Sequence, residues 1–127
     1  ARIRAVPDAD GAARAGVMIR EGLTSGSKYA FMGIDGVGTF WWQQRSKTAY
    51  SASVSSSDAG VAPYLWVRVV RAENTLTGYK SSDGVNWTQV GSRSITMGSS
   101  IHIGLAVASG SPDASNTSVF DNITVLP

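Results

Sequence analysis

The sequence predicts an all-β fold, a two-sheet antiparallel β-sandwich occupying residues 1–127 as a single domain. Three observations lead there. Short segments alternate apolar and polar residues with period two, the mark of strands with one covered face. Between them, Gly, Ser, Asn and Asp clusters at regular spacing supply turns. Fourteen glycines and only two glutamates in 127 residues weigh against long helices. One hydrophobic core is the usual solution at this length.

Nine or ten strands follow in chain order. Residues 1–6 (ARIRAV) begin directly as a strand, which reads as the interior of a domain. The turn VPDADG follows, and its Asp8-x-Asp10-Gly11 spacing fits either the start of a calcium loop without its later ligands or a plain polar turn. Residues 15–21 (AGVMIRE) set Val17 and Ile19 against Met18 and Arg20. After a turn at 22–27, residues 28–34 (KYAFMGI) return as a strand. Beyond the 35–38 loop comes Thr39–Arg45, with Phe40, Trp42 and Gln44 on one face and Trp41, Gln43 and Arg45 on the other.

Residues 46–62 are polar and serine-rich, with a weak strand around 50–54. Pro63 then leads into the central β-meander, residues 64–90, where Leu65, Val67 and Val69 alternate with Trp66, Arg68 and Val70. Its two hairpins turn at 72–74 and at 82–84, because Asn and Gly tolerate the positive φ of tight turns. Residues 94–97 form a short strand. Residues 101–108 (IHIGLAVA) form a strongly apolar one whose Ile103, Leu105 and Val107 point together. A loop at 110–116 and a last strand at 118–126 (SVFDNITVL) close the chain.

Composition removes several classes of function. Without cysteine there is neither a disulfide nor a thiolate metal site. A net charge of +2, with 16% charged residues and no Lys/Arg cluster, speaks against nucleic-acid binding. No apolar run approaches the roughly 20 residues of a membrane helix, so no membrane insertion is expected. The two glutamates, Glu21 and Glu73, lie far apart, His102 is the only histidine, and no phosphate-binding glycine loop is present. The chain is expected not to be an enzyme.

Alternation also nominates a surface. If Val17, Ile19, Phe40, Trp42, Leu65, Val67 and Val69 face the core, the same strands present Met18, Arg20, Trp41, Gln43, Arg45, Trp66 and Arg68 on their other side. Indoles stack on the C–H faces of sugars, while amides and guanidiniums bridge hydroxyls. Arg20, Trp41, Gln43, Arg45, Trp66 and Arg68 are therefore the candidate ligand-binding residues, and three arginines favour an acidic glycan. The competing reading is structural. Arg20 then pairs with Glu21 or Glu73, Arg45 and Arg68 lie over Trp41 and Trp66, and the face is covered by further strands or a neighbouring subunit.

Other residues carry plainer expectations. Trp87 pins its hairpin or, as an indole near a loop tip, lines a site, and His102 is a satisfied or surface histidine rather than a metal ligand. Tyr29 and Tyr50 rim a binding face or cover core edges. The Asn-x-Ser/Thr matches at Asn86, Asn116 and Asn122 carry meaning only with eukaryotic secretion.

The segments AGVMIRE, QQR, PYLWVRVVR, YKSSDGVNWTQVG, IGLAVAS and VFDNITV resemble, in order and spacing, the regulation-of-enolase-type domain of unknown function. That family lies within the concanavalin A-like lectin and glucanase superfamily. The resemblance runs from about residue 1 to residue 125, and SSDGVNWTQVG and FDNITV are its most specific parts. It implies a jelly roll, serving as an accessory module of secreted or surface bacterial proteins, extracellular in location. The Glu-x-Asp-x-x-Glu strand of laminarinase-like relatives is absent.

No cofactor is implied as required. Related modules often hold a structural calcium near the last strand, which makes Asp121 a candidate ligand with Asp8, Asp10 or Asp113; the alternative is a carboxylate bonded to an adjacent loop. Full-length members carry strands ahead of the segment at Ala1. Either the family boundary is drawn loosely here, or the sandwich lacks its first strands and is completed by a preceding segment, a neighbouring domain or another chain. Two functions stay open: a non-catalytic carbohydrate-binding module, and a structural or adhesive β-sandwich subunit of an extracellular assembly.

Overall fold

The computed structural model describes residues 1–5, 13–59, 65–111 and 115–126. Ten strands, and no helix, occur among the described residues: β1 (Arg2–Ala5), β2 (Arg14–Arg20), β3 (Tyr29–Asp35), β4 (Thr39–Arg45), β5 (Ser53–Ala59), β6 (Leu65–Ala72), β7 (Thr75–Ser81), β8 (Thr88–Ser94), β9 (His102–Ala108) and β10 (Val119–Asp121). They form two five-stranded antiparallel sheets packed as a sandwich. The first runs β10-β1-β6-β7-β8 and the second β5-β4-β3-β2-β9.

The expected alternation is the observed one. Ile19, Phe40, Trp42, Leu65 and Val67 are buried in the core, and Val17 and Val69 pack against it. Between the sheets, Trp42 of β4 fills the space above β7 and β8. It fits because the residues below it are Gly78 and Gly91, paired directly across the two strands. A second aromatic ring uses the same device on the outside of the other sheet. There Phe31 lies over the Gly16–Gly33 pair and is only 5% exposed.

Boundaries differ where turn chemistry or pairing decides them. Ala72 and Thr75 pair across the first meander hairpin, and its positive φ falls on Glu73 (57°) rather than on Asn74. The weak strand placed around 50–54 is β5, at Ser53–Ala59. Its alternation is hidden by serines, and it is fixed by pairing with β4 instead. Residues 95–97 are not a strand; Ile95 and Met97 are nonetheless buried, as plugs at the end of the core. The final strand stops at Asp121 instead of running to 126, and Asn122 there takes a φ of 49°. The turn at Asp8-x-Asp10-Gly11, Pro63 and Asp113 lie outside the described residues.

Candidate ligand-binding face

The six candidate residues all point outward from their own strands, but they do not share a face. Arg20, Trp41, Gln43 and Arg45 stand on β2 and β4, on the outside of one sheet. Trp66 and Arg68 stand on β6, which belongs to the other sheet, so they look away from the opposite side of the sandwich. The single strip expected from alternation is therefore two surfaces. Period two fixes which side of its strand a residue takes; it does not say which sheet the strand joins.

On the β2–β4 face most of the polar groups are spent internally. Arg20 donates from Nε to the Gly22 carbonyl (3.1 Å) and from Nη2 to the Thr24 carbonyl (2.8 Å). Arg45 donates to the carbonyls of Tyr50, Ser25 and Ser27 at 2.8, 2.8 and 3.2 Å. Both guanidiniums lie 5.2 Å from the Tyr29 ring. Neither Glu21 nor Glu73 is the partner of Arg20: Glu21 pairs with Lys28 at 3.2 Å. Gln43 donates to the Tyr29 hydroxyl (2.6 Å) and accepts from Arg14 (3.3 Å).

Trp41 is held on two sides. Its indole N–H donates to Asp35 (2.8 Å), and Arg14 rather than Arg45 covers the ring, at 4.0 Å. Asp35 itself is buried at 4% exposure and also accepts the Val37 and Thr39 amides at 3.0 and 2.9 Å. Between Arg14, Met18, Tyr29, Phe31 and Gln43 remains a shallow depression of about 170 Å³. Two residues central to this face were absent from the sequence reading. Arg14 is the next alternate position before Gly16, Met18 and Arg20, so extending the period by one step finds it. Asp35, placed in a loop, gave no signal of its own.

The β6 face is different. Arg68 is exposed, its guanidinium 4.3 Å from the Trp87 ring and 4.9 Å from the Tyr79 ring. Among the described residues, no hydrogen-bond acceptor or carboxylate engages its donors, and the indole N–H groups of Trp66 and Trp87 are likewise unspent. Trp66 is half-buried and rests against Gly84, whose φ of 76° lets the 82–87 hairpin fold over the ring. Arg2 stands 5.6 Å from the other part of this cluster, the Trp66 ring. Trp87 is half-buried, lies outside the core and meets Arg68 instead. Burial, and then the nearby Arg68, push the Ala1 ammonium below its ordinary pKa.

Asp121, the candidate calcium ligand, is occupied otherwise. Its carboxylate takes a bidentate pair of hydrogen bonds from Arg2, one of them at 2.5 Å, with Arg4 at 3.9 Å and the Asn122 amide at 3.1 Å. The Arg2 hydrogen bonds hold its pKa below the ordinary carboxylate value. A carboxylate already neutralised by arginine is a poor cation ligand. No group of three His, Asp or Glu gathers among the described residues; Asp8, Asp10 and Asp113 fall outside them. His102 is an exposed residue of the edge strand β9.

Beside the β6 cluster a trough of about 870 Å³ opens along the edge of the sandwich. Val17, Ile19, Val69, Ile103 and Leu105 line it, with residues 122–126 along one side. Comparison of the chain with protein-family models, curated proteins and solved structures found no match.

Proposed function

We propose that the chain is a non-catalytic carbohydrate-binding module of a secreted or surface bacterial protein, recognising an acidic glycan on the outer face of β6. The observation that carries this reading is Arg68: an exposed guanidinium steadied by two aromatic rings, with its donors unspent. A guanidinium held by rings loses little freedom when it binds, and its planar fork matches a carboxylate in two parallel hydrogen bonds. Trp66 and Trp87 add indole surface and free N–H donors beside it, the combination that stacks on a sugar while bonding its hydroxyls. Of the candidate residues, Trp66 and Arg68 keep the ligand role in this reading. Arg20, Trp41, Gln43 and Arg45 act as supports of the opposite sheet.

Affinity electrophoresis tests the assignment in gels containing polygalacturonate, alginate or a neutral β-glucan. Retardation of the wild-type chain in the acidic gels, abolished by Arg68→Ala and Trp87→Ala but retained by Arg45→Ala, is the expected result. Equal mobility of the wild type in all gels and in a polymer-free gel would remove the reading.

A further inference from the structure

We propose that the open edge of β9 is a self-association surface, on which a second copy of the chain lays its own β9 antiparallel about a two-fold axis at Leu105. The inference goes beyond the glycan reading and does not rest on it.

The described sheets end in four edge strands, β10 and β8 in the first and β5 and β9 in the second. Three of these are poor templates for a further strand. β10 is only three residues long and breaks register against β1; β8 breaks register against β7 and carries the exposed Arg93; β5 breaks register against β4 and is mostly serine. Short length, bulges and charge are common protections of a sheet edge. β9 has none of them. Its seven residues, HIGLAVA, pair with β2 without a break and include no Lys, Arg, Asp, Glu or Pro, and Ile103, Leu105 and Val107 are 50%, 46% and 53% exposed.

The backbone of β9 is set for a partner. The Glu21 amide donates at 3.0 Å to the Lys28 carbonyl directly opposite it, so the odd-numbered residues of β2 bond to β3 and the even-numbered ones bond to β9. Those even residues stand opposite His102, Gly104, Ala106 and Ala108. Ile103, Leu105 and Val107 therefore turn their amides and carbonyls to the other side, where no strand lies among the described residues.

The symmetry of the pattern identifies the partner as a second copy. With Leu105 on the axis, Ile103 stands opposite the partner's Val107 and Val107 opposite the partner's Ile103. Each of these pairs is of the hydrogen-bonded kind and sets an apolar side chain against another. Gly104 then opposes the partner's Ala106, and His102 the partner's Ala108, so small groups meet on the outer face and no like charges do. Moving the axis to Ile103 or Val107 would cut the overlap to residues 102–104 or 106–108. The three large side chains lie on the core side of the sheet, because they stand beside Ile19, Val17 and Ala15 of β2, so pairing covers apolar surface while it satisfies the edge. The axis is normal to the joined sheet. The first sheets of both copies thus lie on one side of it, and both β6 faces look the same way.

The chain contains no cysteine, so single cysteines introduced into it report the register. Opposed residues of a hydrogen-bonded pair have Cα atoms about 5.5 Å apart, within reach of a disulfide. Leu105→Cys is expected to give a disulfide-linked dimer on mild oxidation. Ile103→Cys and Val107→Cys should each stay uncoupled, because each is separated from its own copy by about 13 Å along the strands, yet an equimolar mixture of the two should yield the mixed dimer. Sedimentation equilibrium of the wild-type chain at about 0.5 mM should approach twice the chain mass, since even a Kd of about 0.1 mM leaves mostly dimer there. Amide exchange at Leu105 should slow about threefold or more between about 10 μM and 0.5 mM protein. A wild-type chain that stays monomeric would overturn the inference: protected amides at Ile103, Leu105 and Val107 would then give the edge to the chain's own polypeptide, and unprotected ones to a different partner. A dimer whose β9 amides exchange as in the monomer, or cross-linking that ignores the position of the cysteine, would overturn it as well by placing the interface elsewhere. Should a cysteine variant fail to fold, the wild-type measurements decide alone.

Discussion

The indole of Trp42 rests on Gly78 so closely that a Cβ there would stand 2.5 Å from its Cε3, while the cross-strand partner Gly91 is as tightly covered. One side chain from the second sheet thus sits directly on the backbone of two paired strands in the first. Gly78→Ala is expected to displace the ring and cost about 1–3 kcal/mol, as overpacking does. Gly104→Ala, with nothing within 4 Å of the added methyl, is the matched control and should be neutral or mildly stabilising. Urea unfolding monitored by tryptophan fluorescence separates the two.

Asp35 gathers the Val37 and Thr39 amides and the Trp41 indole in a buried position. Asp35→Ala leaves three donors without an acceptor and should cost about 2–3 kcal/mol or more, while Asp35→Asn should recover part of it. The same denaturant series measures both. A loss in Asp35→Ala no larger than that in Trp41→Phe would mean that the amide contacts contribute little.

Those two positions also show what the chain disclosed in advance. Trp42 was assignable to the core and Trp41 to the exterior because alternation along TFWWQQR needs only the strand itself. The partition of Arg20 and Arg68 between opposite faces was not assignable. It depends on β6 pairing with β1 and β7 rather than with β4, a long-range choice with no local trace. The end of the last strand at Asp121 is a separate matter. ITVL has strand propensity, but Asp121 and Asn122 before it do not, and Asn122 takes a positive φ where the pairing of β10 with β1 ends.

The 81–88 hairpin carries a pH response. Asp83 accepts the Val85 and Asn86 amides and the Asn86 and Ser81 side chains, and these hydrogen bonds, led by the Asn86 amide, hold its pKa well below the ordinary value. With the folded pKa depressed, the Asp83 contribution is whole above the unfolded carboxylate pKa of about 4 and is lost as pH falls below it. Asp83→Asn should therefore flatten the fall in thermal midpoint between about pH 4 and pH 2. An unchanged slope would assign acid sensitivity to other carboxylates.

Asp121 offers a test of calcium. Bound bidentately by Arg2, its carboxylate should make the same contribution in EDTA and in millimolar calcium, so the stability difference between wild type and Asp121→Asn should not change between the two solutions. Arg2→Ala should approach the same loss, which stays small because both side chains keep partial solvent contact. A difference that grows with calcium would return Asp121 to the list of metal ligands.

Arg45 decides between the two faces. Its three carbonyl contacts tie the 25–27 turn to the 46–50 loop, which needs a planar fork with donors in fixed directions. Lys supplies one flexible ammonium and cannot span the same acceptors. Arg45→Lys should therefore cost about 1–2 kcal/mol and speed amide exchange at Ala49 and Tyr50, whose amides donate to Gly26 and Lys47. Mobility in acidic-glycan gels should stay at the wild-type value, since Nε and Nη1 of Arg45 are already engaged by carbonyls of its own chain and fix its guanidinium as a support of the two loops. The opposite pattern, full stability with lost retardation, would move recognition from Arg68 on β6 to the β2–β4 face and make Arg45 a ligand contact after all.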